Sequence, residues 1–134
     1  MRSIFDKMID NIFVGRAPDV IDHRLIVDSL KPYTKVKITQ NIKEILEKHP
    51  GRKFKIGKTG DAEVRVDYHD YRREPFDYMY LLYQHSNEHK VSDLEVQYIR
   101  KYKALYPERC VNENMNHAGK MSSPTAYFYM YLII

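Results

Sequence analysis

Apolar residues recur at helical spacing near the start of the chain. Ile4, Phe5, Met8, Ile12 and Phe13 predict a helix over 3–14, with Gly15 as its stop. Pro18 suits a first helical position, and Val20, Ile21, Leu25, Ile26 and Leu30 supply the stripe of a second helix that ends at Lys31-Pro32. Over 33–39 two patterns compete, because Val36 and Ile38 alternate with lysines as in a short strand. A third helix follows over about 40–48, with Asn41 and Glu44 spaced as a capping box and Ile42, Ile45 and Leu46 as its apolar face. Pro50-Gly51 marks a turn. The first fifty residues therefore read as a helical extension without a chemical motif.

From Arg52 onward the periodicity changes. Phe54 and Ile56 alternate with Lys53 and Lys55, as in a half-buried strand. Gly57 and Gly60 predict a tight turn with positive φ; Asp61 reads as an N-cap, and Glu63 sits where a helix dipole favours negative charge. Arg65 and His69, four apart, share one face of the ensuing helix. Residues 76–83 read as a strand, 87–90 as a polar turn, and 92–105 as a helix that turns Leu94, Tyr98, Ile99 and Tyr102 inward. Turn-forming residues crowd 106–124, and 125–134 is the most strand-like stretch of all. Strand, helix, strand, helix, loop, strand is an α/β or α+β order, without internal repeats.

Composition narrows the class. The chain has 134 residues, enough for one domain with a core, and its 43% hydrophobic content is that of a folded protein. Twelve tyrosines and no tryptophan favour amphipathic contacts, although strands use tyrosine structurally as well. A net charge of +4, despite 18 acidic residues, is compatible with nucleic acid without requiring it. A single cysteine, Cys110, excludes an internal disulfide framework. No run of residues is apolar enough to span a bilayer, and the expectation is a soluble, intracellular chain without a membrane partner.

Ile56-Gly57-x-Thr59, Arg65 eight residues after Gly57, and His69 four further on resemble the second half of the GIY-YIG nuclease motif. In that family "YIG" ends a strand, and the next helix carries an arginine followed by a histidine or tyrosine. Lys55 stands where the tyrosine is usual, as in the "KIGKT" branch. The resemblance implies an α+β domain over 51–134, a small and mainly antiparallel central sheet flanked by helices. It also implies a metal-holding glutamate on the next helix, matched by Glu95, and an asparagine after it, matched by Asn112 in Cys110-Val111-Asn112 or by Asn114. Locally, Ser92-x-x-Glu95 is also a capping box, and an asparagine in a polar loop is commonly a turn residue.

The first strand of the family motif has no match in residues 33–50, where nothing reads G-x-Y. Its nearest likeness is Ala126-Tyr127-Phe128-Tyr129-Met130-Tyr131, with Tyr129 in the place of the catalytic tyrosine and Tyr131 in the alternative register. The resemblance then implies a circular permutation, which chain termini that lie close together tolerate. The alternative is a core strand with aromatic pairs.

The implied activity is metal-dependent hydrolysis of nucleic-acid phosphodiesters, on DNA more than RNA, with a single Mg²⁺ or Mn²⁺. Tyr129 would orient or deprotonate water, Arg65 would neutralise the pentacovalent phosphate, and Glu95 would hold the metal. His69 and Lys55 would assist. Arg52, Lys53 and Lys58, with Arg72 and Arg73, would contact phosphates, a role that a merely solvated face also explains. A GIY-YIG-like domain that binds nucleic acid or protein without cleaving is the alternative. A zinc site from His85, His89, Cys110 and His117 is disfavoured, because the two close histidines fall in a strand-to-turn segment.

Overall fold

The computed structural model describes residues 20–28, 33–113 and 126–134. Four strands form one mixed sheet: β1 (Ile21–Asp22), β2 (Lys55–Thr59), β3 (Met79–His85) and β4 (Phe128–Ile133), in the spatial order β1-β3-β4-β2. β4 runs antiparallel to both its neighbours, and β1 lies parallel to β3. With α1 (Thr34–Lys48), α2 (Ala62–Tyr71) and α3 (Glu88–Leu105), the fold is α+β, as expected.

Alternation along the strands makes two cores. Ile56, Leu82, Met130 and Leu132 face α1 and α3, where they meet Ile38, Ile42, Ile45, Leu94 and Ile99. Met79, Leu81, Tyr131 and Ile133 face the other way and meet Val66 of α2 together with Val20, Ile21 and Phe76. A register shift between Leu81 and Tyr83 breaks this alternation and turns Tyr83 into the α1–α3 core. Both faces of β3 are covered, which is why Met79 to Tyr83 is an unbroken buried run.

Several sequence expectations change. The helix over 3–14 lies outside the described residues. Residues 21–28 hold no helix: Asp22 takes the Arg24 N–H (2.8 Å) and the Arg24 guanidinium, turning the chain after β1. Ile21 and Val27 then pair with β3. Residues 34–39 belong to α1, with Tyr33 at its N-cap, because Ile38 continues the Ile42–Ile45 stripe and so settles the competing periods. Of the first fifty residues, the described elements α1 and β1 pack into the same two cores as the strands and helices that follow.

α2 begins as expected, with Asp61 Oδ1 accepting the Val64 N–H at 3.2 Å. α3 begins four residues earlier than expected. Asn87 is its N-cap and accepts the His89 N–H at 2.9 Å, so Ser92 and Glu95 lie inside the helix and form no capping box.

The outer edge of β2 is covered by residues 109–112. Phe54 bonds Arg109 and Val111 through its backbone, and the Asn112 amide clasps Ile56 twice, accepting its N–H (3.0 Å) and donating to its carbonyl (2.8 Å). Such a clasp blocks strand addition at an exposed edge. Asn112→Ala is expected to lower stability by about 1–2 kcal/mol, read as a lower urea midpoint with an unchanged m-value.

Candidate active site

A cleft of about 250 Å³ opens around edge strand β2. Lys55 and Gly57 look toward α2 and Lys58 toward α3, so side chains of both helices reach the same cavity. Arg65, Tyr68 and His69 form the α2 wall. Glu95 and Ile99 form the α3 wall, and Asn112 closes the outer edge.

β4 supplies the floor. Its register sets Tyr131 opposite Gly57 and Tyr129 opposite Thr59. A Cβ at position 57 would stand 2.9 Å from Tyr131 Cε2 and nearer still to the hydroxyl end of the ring. The missing side chain is what lets the phenol cross β2 into the cleft. Gly57 is thus a strand residue selected for close approach, and its expected positive φ is corrected: among the described glycines only Gly51 has one. Tyr129 shares the face of Tyr131 but does not line the cleft, because Thr59 rather than glycine stands opposite. The tyrosine that lines the cleft is Tyr131, the residue of the alternative register.

Tyr131 is 4% exposed, and burial holds its phenol well above the ordinary tyrosine range. Its hydroxyl is 2.9 Å from His69 Nε2. The other ring nitrogen, Nδ1, bonds Glu74, whose second oxygen takes the Lys55 ammonium. Burial pushes the His69 imidazole below its usual range, outweighing the carboxylate beside it. Burial alone would raise Glu74, but its bonds from Lys55 and His69 prevail and hold it low. His69 is therefore neutral and Glu74 ionised at neutral pH.

Glu74 escaped the sequence reading. It follows Arg73, which has a φ of 55° beyond the end of α2, and its N–H returns to the His69 carbonyl (3.1 Å). This left-handed helix end, here without the usual glycine, aims Glu74 back at the helix it has just left. The only sequence signal was the Pro75 that follows.

Glu95 is 4% exposed and accepts no hydrogen bond from any described residue. Burial raises its carboxyl to about 7, against the pull of Lys58 and Arg65. An ionisable oxygen donor aimed into a cleft fits a hard cation that completes its shell with water and substrate phosphate. Among the described residues no cluster of three His, Cys, Asp or Glu side chains is placed to hold a metal, so Glu95 would be the protein's ligand there.

The remaining candidates divide. Lys58 lines the cleft and donates to Ser92 of α3 (2.8 Å). Arg72 lines its mouth and donates to the Tyr68 hydroxyl (2.9 Å), while Arg65 stacks on the Tyr68 ring at 5.2 Å. Arg52 lies apart, paired with buried Asp77 (3.0 Å), which commits its charge to the fold. Lys53 and Arg73 are exposed outside the cleft. Asn112 reaches the cleft with its amide committed to β2. Of the zinc candidates, His85 accepts the Asn87 N–H, Cys110 is buried behind Phe54, and His117 and the alternative asparagine, Asn114, lie outside the described residues.

Compared with known protein families, curated proteins and solved structures, the chain matches none. No helix among the described residues is long and apolar enough to cross a membrane.

Proposed function

We propose that this cleft hydrolyses nucleic-acid phosphodiester bonds, in the manner of a permuted GIY-YIG-like nuclease and with a divalent Mg²⁺ or Mn²⁺. The observation that carries this reading is convergence. Arg65 from α2, Glu95 from α3 and Tyr131 from β4 line one cleft, although β2 and β4 lie far apart in sequence.

Each group has a task suited to its chemistry. Arg65 offers a permanent charge and a planar fork to the non-bridging oxygens of a phosphate, and its hold tightens as negative charge accumulates there. Lys58 and Arg72 add phosphate contacts at the rim. The Tyr131 oxygen accepts a hydrogen bond from the attacking water and aims it at phosphorus. Glu95 would hold the cation, which when bound supplies charge for the phosphate and leaving oxygen. Gly57 leaves the room that the Tyr131 phenol occupies at the cleft floor.

The test is nicking of supercoiled DNA in Mg²⁺ or Mn²⁺ by the parent and by Arg65→Ala. A loss of about a hundredfold or more in the variant is expected. Equal cleavage by both removes Arg65 from the site. Binding without cleavage by the parent, under either metal, leaves a binding domain in place of a nuclease.

A further inference from the structure

Glu74, His69 and Tyr131 form a continuous chain of hydrogen bonds from the end of α2 to the cleft floor, and Lys55 joins it at the carboxylate. The directions of these bonds follow from the donor inventory. An ionised carboxylate only accepts, so His69 Nδ1 carries the proton and donates it to Glu74. The ring is neutral, so Nε2 is bare and accepts the Tyr131 hydroxyl. The phenol's proton is therefore committed to His69, which leaves the lone pairs of its oxygen free to accept.

We infer that Glu74 is a positioning residue that fixes the His69 tautomer, making His69 the terminal proton acceptor of the site and Tyr131 the relay between it and the attacking water. This rests on the hydrolytic reading. In the step, the water oxygen bonds to phosphorus and the bond to the leaving oxygen breaks. The water proton passes to Tyr131 Oη as the Tyr131 proton passes to His69 Nε2, and the imidazolium so formed is stabilised by Glu74. The leaving oxygen takes a proton from solvent. A buried phenol then never has to carry a full charge, which burial would oppose.

Lys55 is the second half of the device. It holds one oxygen of Glu74, leaving the other for His69. In Glu74→Gln the single amide oxygen goes to the Lys55 ammonium, and the NH₂ group faces Nδ1. The proton then moves to Nε2, which turns from acceptor to donor toward Tyr131, and the relay is blocked.

The experiment is a long-range ¹⁵N–¹H correlation of the His69 ring in metal-free protein, alongside single-turnover cleavage of DNA. The parent is expected to show a protonated Nδ1 and a bare Nε2, and Glu74→Gln the reverse. Cleavage by Glu74→Gln is expected to fall about a hundredfold to ten-thousandfold with DNA affinity unchanged. Tyr131→Phe, which keeps the ring in its slot, is expected to keep the parent tautomer and lose a similar factor. An Nε2 proton in the parent overturns the inference whether or not the variants fold. So does undiminished cleavage by Glu74→Gln or Tyr131→Phe. A parent with the expected tautomer that cleaves nothing overturns the proton path by removing the hydrolytic reading beneath it.

Discussion

Glu95→Gln is expected to abolish cleavage and to make the metal-free protein more stable at pH 8. The two effects have one origin. Glu95 is buried and accepts no hydrogen bond from a described side chain or backbone group, so its carboxyl rises to about 7 from 4.5. Between those two values the folded chain binds more protons than the unfolded one. Stability from this group is then complete below pH 4.5, falls as pH climbs, and is lost above about 7. The difference corresponds to about 3 kcal/mol at most. Glutamine keeps the neutral form at every pH, so denaturation curves of parent and variant should separate as pH rises from 5 to about 8. The same substitution removes the charge that would hold the cation. A loss of several kcal/mol of transition-state stabilisation is about a thousandfold in rate. A variant that is no more stable at pH 8 would show that Glu95 is solvated, and one that cleaves normally would remove it from the site.

The second large effect is expected at Gly57. An alanine there would place its methyl inside the Tyr131 ring position. The ring lies at the end of a side chain but cannot swing freely, since it is 4% exposed and packed edge-on against His69 at 5.8 Å. Overpacking of this kind costs about 1–3 kcal/mol. Gly57→Ala is therefore expected to lower the thermal midpoint by several degrees and to separate Tyr131 from His69. Cleavage should fall at least about a hundredfold, because displacing the reacting groups by an ångström is costly. Gly60→Ala supplies the comparison, lying outside β2 and its pairing with β4. Normal stability and cleavage in Gly57→Ala would show that the ring has another resting place.

These expectations also mark what the sequence could disclose. Local patterns located β2, α2 and α3 well enough to set Arg65 and Glu95 on helices beside one strand, and the tyrosine-rich end of the chain folds back antiparallel to residues 55–59. Which tyrosine enters the cleft was not local information. It depends on register, and register is set by a pairing in which glycine rather than threonine meets the ring. Glu74 was equally hidden, because a helix end without glycine gives no sign that its next side chain turns back. Arg52 shows a partner that local sequence does not disclose. Its charge suited a phosphate contact, but a buried aspartate on a distant segment had claimed it. The stretch 20–28 read as a helix because its β-branched residues fit either period, and pairing with β3 decided the outcome.

β4 lies between β2 and β3, and β2 has no other strand partner among the described residues. This arrangement has a consequence for biosynthesis. A ribosome must deliver Arg65 and Glu95, and then the chain as far as Ile133, before β2 can join the sheet. Contacts spanning so much chain close slowly, and the nascent protein waits with an unpaired, lysine-bearing strand. Whatever chemistry the cleft performs is withheld until translation reaches the central strand, so an incomplete product would carry most of the candidate residues and none of the site.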